Sequence, residues 1–107
     1  MRKSVAILLL VLWSVPLFAF DANTIVSAKR AIKDNLKDPK SVIFEDVFYS
    51  YTEKGGGIAC GRFNAKNSLG GYTGFKRFIS NGKSTFIEGA NDTNPPFPKL
   101  WNMICHR

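Results

Sequence analysis

Between Phe20 and Arg107 the apolar positions of the chain change their period once. In "FDANTIVSAKRAIKDNLKDPKS", Ile25, Ala28, Ile32 and Leu36 recur every three or four residues, the spacing of a single apolar stripe along a helix. Lys29, Arg30, Lys33 and Lys37 take the other faces. The segment reads as one amphipathic helix. Asp21 or Asn23 can cap its start by accepting an orphan backbone N–H. Pro39 ends it, because a residue before proline, here Asp38, is pushed out of the helical region.

After Pro39 the period falls to about two. "SVIFEDVFYSY", Ser41 to Tyr51, is rich in β-branched and aromatic residues, with one slip near Glu45–Asp46. A strand with a bulge has that pattern. "EKGGG" is a turn, and "IACGRFNA", Ile58 to Ala65, is a second strand with Ile58 and Cys60 on one face and Ala59, Gly61 and Phe63 on the other. "YTGFKRFI", Tyr72 to Ile79, is a third strand. Asn81-Gly82 predicts a type I′ hairpin leading into a fourth strand, Ser84 to Glu88. The prolines of "GANDTNPPFP" restrict it to irregular geometry, with Phe97 either packed over the sheet or presented to a partner. "KLWNMICHR" closes the chain as a short helix or extended tail. The fold class is α+β: an N-terminal amphipathic helix packed on a four-stranded antiparallel meander.

The start of the chain adds a destination. Arg2 and Lys3 precede an apolar run, Val5 to Trp13, followed by Ser14, Pro16 and small or apolar residues up to Ala19. A basic n-region, an h-region of about 7–15 residues and a small residue at the junction make a secretory signal peptide. Leu17 and Ala19 fit the recognition positions, so cleavage is expected after Ala19. A membrane span needs about 20 continuous apolar residues, and Ser14, Pro16 and Asp21 interrupt this run. Residues 20–107 then form a single small domain, in the periplasm or outside the cell.

So short a chain buries about 60–65% of its extended surface, and a staple is often needed. In an exported protein an even cysteine count points to a disulfide, here Cys60 with Cys105. A metal site or a reactive thiol is the alternative. Cys105 and His106 are adjacent, so their side chains diverge, and no CxxC or HxxxH spacing accompanies them. No metal and no cofactor is expected.

The formal charge is +7 and the pI about 9.7. The only histidine is the penultimate residue, and nothing orients it toward a nucleophile. Glu45 and Asp46 are expected on opposite faces of a strand, while Glu53 and Glu88 are isolated. No catalytic set emerges, and the chain is read as a non-enzyme. Neither a GxGxxG nor a Walker A pattern is present, and the RNP pattern is absent. Nucleic acid therefore remains an unfavoured partner, despite the cations and aromatics of "YTGFKRF".

"NAKNSLGGYTGFKRF", Asn64 to Phe78, supplies the candidate site. Gly70-Gly71 allows a backbone turn, which Asn64, Asn67 and Ser68 can brace with their own side chains. A hairpin connection accounts for this. The functional alternative takes Lys66, Asn67, Tyr72, Lys76 and Arg77 as binding residues, the cations bracketing exposed N–H groups that form an anion-accepting concavity.

"AIKDNLKDPKSVIFEDV" followed by "CGRFNAKNSLGGYTGFKRF" resembles a group of small exported proteins of bacteria and their phages, which carry KDPxSxxF and NxKNSxGGYxGF patterns. The match runs from Ala31 to Phe78. Where this chain has Leu69, the group more often has an aromatic. The resemblance implies export and the fold, and brings no activity with it. The expected function is binding: an exported protein that engages or modulates an envelope protein. A binder of an anionic ligand (phosphorylated glycolipid, membrane headgroups or nucleic acid) and an inhibitor of a cell-wall enzyme are the other readings. Charge of this size is screened over about 8 Å at physiological salt, which favours a protein partner over a lipid surface. Oligomeric state is left open.

Overall fold

In a computed structural model, residues 18–54 and 56–107 are described, with side-chain surroundings from Asp21 onward. The predicted signal segment therefore lies, up to Leu17, outside the described residues. Helix α1 spans Phe18–Asp34. Its apolar stripe does what the spacing implies: Ala28 and Ile32 are fully buried, with Ile25 and Leu36 packed at the margin of the same cluster.

Both ends of α1 differ from expectation. Asp21 lies in its first turn rather than before it, and Asn23 follows inside the helix. Its C-terminus comes at Asp34, four residues before Asp38. There the backbone tightens, Asn35 and Leu36 donating to the carbonyls of Ile32 and Lys33 at 3.0 and 3.1 Å. Asn35 Nδ2 also donates to Ala31 O at 2.8 Å. The last carbonyls are satisfied locally, so the helix can stop before the proline forces it to. Pro39 instead opens a short 3-10 turn, Pro39–Ser41, a place where its missing N–H costs nothing.

Four antiparallel strands follow in sequential order: β1 (Ile43–Thr52), β2 (Gly56–Asn64), β3 (Lys76–Ser80) and β4 (Thr85–Ile87). The bulge falls where the sequence places it. Pairing jumps from Glu45 opposite Arg62 to Phe48 opposite Cys60, and Asp46 takes a positive φ of 53°. Gly61 sits across from the extra residue. A Cβ there would lie 2.9 Å from Val47 Cα, so β2 approaches the bulge more closely than any side chain permits.

The bulge also corrects the expectation for Glu45 and Asp46. Both carboxylates reach one guanidinium: Arg62 pairs with Glu45, and with Asp46 at 3.4 Å. The strict alternation that would part them is broken at that point. Two further corrections concern β3 and its turn. The strand begins at Lys76 rather than Tyr72. In the β3–β4 turn only Gly82 is left-handed (φ 91°), not Asn81. Asn81 N–H donates to Ser84 O at 3.2 Å, which makes Gly82 and Lys83 the central pair. Asn81 Oδ1 braces them by accepting from the N–H groups of Lys83 and Ser84 at 2.9 and 2.7 Å.

β2 is buried on both faces, so its core reads as a continuous run. Ala59 and Phe63 join Phe78, Ala28 and Ile32 under α1. Ile58 and Cys60 join Ile79 and Phe97 on the opposite face, covered by helix α2 (Phe97–Ile104). The chain end is thus a short helix, and Phe97 is buried in the core rather than presented. Cys60 bonds Cys105 across a Cα separation of 6.0 Å. Buried Ser50 reinforces this closure: its Oγ donates to Ile104 O at 2.6 Å and accepts from His106 N–H at 3.0 Å. The fold is α+β, a meander with a helix on each face and one disulfide.

Candidate binding site

Residues 65–75 form the excursion between β2 and β3, and their geometry follows from a few polar side chains. Asn67 organises the tip. Its Oδ1 accepts from the N–H groups of Leu69 and Gly71 at 2.9 and 3.2 Å, and its carbonyl accepts from Gly70 N–H at 3.0 Å. Asn67 N–H returns to Gly71 O at 2.9 Å, and Lys66 and Tyr72 bridge behind it. At the base, Asn64 Oδ1 accepts from Gly74 N–H at 3.1 Å.

The loop is also tied to the 3-10 turn. Tyr72 Oη donates to Ser41 O at 3.0 Å, and Lys66 N–H donates to Ser41 Oγ at 2.9 Å. Ser41 Oγ in turn donates to Asp38 O at 2.7 Å. The Lys66 ammonium stands 5.6 Å from the centre of the Tyr72 ring, within cation–π range. A rigid bracket results, and at its tip Leu69 is 93% exposed. Elsewhere in the loop, Tyr72 and Phe75 are also exposed.

The expected concavity of free N–H groups takes a different form. The N–H groups of Leu69, Gly70 and Gly71 are all bonded to Asn67, so its side-chain and backbone oxygens hold the turn. An asparagine followed by glycines signals such a turn, but not where its amide will be consumed.

The five residues singled out from sequence do not converge. Lys66, Asn67 and Lys76 line one side of a cleft of about 220 Å³ on the α1 face, beside Thr73 and Gly74. The other wall is the chain leaving α1, with Asn35, Leu36 and Lys37, and Phe63, Ala65 and Ile87 supply apolar surface. By its spacing Lys37 is expected on a helix face away from the apolar stripe. It comes to the cleft because the helix stops at Asp34, three residues before it.

Arg77 lies on the opposite face. Glu88 Oε2 accepts from its Nη2 at 2.8 Å and from its Nε at 3.2 Å, while Glu88 Oε1 accepts from its backbone N–H at 3.1 Å. These bonds hold the Glu88 carboxyl below the ordinary carboxylate range, the side-chain bond from Arg77 contributing most. The guanidinium also lies 5.4 and 5.2 Å from the ring centres of Phe97 and Trp101. Arg77 is built into the packing of α2.

His106 is fixed through its backbone to Ser50, and its Nε2 lies 3.2 Å from Met103 O. Among the described residues no group of three His, Cys, Asp or Glu is placed to hold a metal ion, and no helix is long and apolar enough to cross a membrane. The disulfide is the mark of an oxidising, export-type compartment. No known protein family, no curated protein and no solved structure matches the chain.

Proposed function

We propose that the protein is an exported, non-enzymatic binding protein of the periplasm or cell exterior that engages an envelope protein through residues 65–75, in keeping with its resemblance to small exported bacterial and phage proteins. The supporting observation is Leu69, 93% exposed at the tip of a loop whose N–H groups at Leu69, Gly70 and Gly71 are bonded to Asn67 and whose base is tied to Ser41. A loop held in one conformation before contact gives up little conformational entropy on docking. Burying a leucine in a partner pocket contributes about 1.5–3 kcal/mol.

The test is affinity capture from detergent-solubilised envelope with the oxidised protein, its Leu69→Asp variant and a Val26→Asp variant. Val26 is also exposed, but on α1. One saturable partner held by the wild type and by V26D, and lost by L69D, supports the reading. Equal capture by all three, or no saturable partner, overturns it.

A further inference from the structure

We propose that the cleft between the end of α1 and residues 65–75 is a binding site for a phosphate or carboxylate group carried on a short apolar moiety. Lys37, Lys66 and Lys76 are among its lining residues, and no carboxylate is. Among the described residues none of these three lysines takes part in an ion pair, whereas Arg62 and Arg77 are both paired. An anion entering beside these unpaired cations gains charge-assisted hydrogen bonds.

The comparison with the neighbouring cleft, about 360 Å³ between α1 and the β3–β4 turn, sharpens the assignment. There Asp34 stands with Arg30 and Lys83, so one carboxylate offsets one of two cations. The smaller cleft is one-signed and, unlike the equally one-signed surface of Lys29, Arg30 and Lys33 beside Val26 on α1, is also lined by Phe63, Ala65 and Ile87.

Two other features define the ligand. Leu36, Phe63, Ala65 and Ile87 give the cleft an apolar part, which a fully hydrated inorganic anion would leave unused. Its volume of about 220 Å³ falls below the roughly 300–1,000 Å³ of pockets that enclose drug-sized ligands, so it suits a head group and a few carbons. Asn67 adds a donor: its Oδ1 is committed to Leu69 and Gly71, which leaves its Nδ2 hydrogens to offer. Such a group could come from a free metabolite-sized anion or from a lipid headgroup. The site shares residues 65–75 with the proposed docking loop but does not rest on the docking role of Leu69.

The test is amide chemical-shift titration of the oxidised protein recovered from an exporting host, with hexyl phosphate, hexanoate, inorganic phosphate and hexanol as probes. The expected result is saturable shifts centred on Lys66, Asn67, Gly74 and Lys76 with hexyl phosphate or hexanoate. Inorganic phosphate should bind more weakly and hexanol not at all. A K37Q/K66Q/K76Q variant should bind about tenfold or more weakly, while K54Q/K83Q/K99Q, matched in charge, and L69D should bind as the wild type does.

Equal losses in both triple variants would reduce the effect to net charge and overturn the site, as would shifts spread over the whole surface or equal shifts with hexanol. If the K37Q/K66Q/K76Q variant unfolds, the charge-keeping K37R/K66R/K76R variant must retain binding, or the proposal fails. Vesicles containing phosphatidylglycerol distinguish the two sources: they displace hexyl phosphate from these amides where neutral vesicles do not if a lipid headgroup is the ligand, and leave it bound if the ligand is soluble.

Discussion

Lys76 and Arg77 are neighbours on β3 and meet opposite fates. Arg77 faces α2, where Glu88 receives three of its hydrogen bonds and two aromatic rings flank its guanidinium. Lys76 faces α1 and ends in an open cleft with Lys37 and Lys66. The α2 face is closed by covalent, polar and aromatic contacts together: the Cys60–Cys105 bond, Ser50 against the chain end, and Phe48 edge-on to Trp101 at 6.1 Å. On the α1 face, Ala28, Ile32, Phe63 and Phe78 fill the centre, but the early end of the helix leaves the margin uncovered. The α2 face carries the disulfide and the aromatic ties, and the α1 face carries the basic cleft.

The largest expected effect comes from opening the α2 face. Removing the disulfide with a C60A/C105A variant should cost up to about 4 kcal/mol, from the loop-closure entropy of its 45-residue separation. Urea unfolding with and without reductant measures it. A loss below 1 kcal/mol would mean that Ser50 and the aromatic contacts close this face unaided.

Gly61→Ala tests the layer between the two faces. Its new Cβ meets Val47 Cα at 2.9 Å, and about 1–3 kcal/mol of destabilisation is expected. The amide resonances of Asp46 and Val47 should shift most. Unchanged stability would show that the bulge yields easily.

Arg77→Ala and Lys76→Ala then set the neighbours against each other. R77A should cost about 1 kcal/mol, through lost packing and an unpaired Glu88. K76A should stay within about 0.5 kcal/mol while weakening hexyl phosphate binding. Equal destabilisation by both would erase the contrast drawn between the faces.

The smallest effect is a pH dependence. Glu88 has its carboxyl pKa lowered in the folded protein, so its contribution is fully present above the ordinary carboxylate value and fades as pH falls through the lower, folded one. Solvent screens this partly exposed pair, and the change should remain below about 1 kcal/mol. Stability curves of wild type and Glu88→Gln between pH 6 and 3 should differ in slope only in the acid range. Identical slopes would remove Glu88 from the account.

The sequence alone determined the elements whose signals are local. The apolar stripe of α1, the opposite faces of Ile58 and Phe63 on β2, the slip at Glu45–Asp46 and the pairing of the two cysteines all follow from side-chain period or residue type. Those features depend on neighbours along the chain, or on there being no other partner. Tertiary structure decided what depends on backbone termination and on pairing across space. Where α1 stops was settled by Asn35 bonding to Ala31 O, which brought Lys37 to the cleft. Residue type put Lys76 and Arg77 together in one binding set, whereas in the fold Glu88, from beyond β4, bonds Arg77 on the α2 face and Lys76 lines the cleft on the α1 face. Asn67 belonged to the binding set on residue type, and the closed loop turned its carbonyl oxygen inward. A hydrogen-bonding side chain does not declare its partner in sequence, because the partner is set by which backbone groups the fold leaves unpaired.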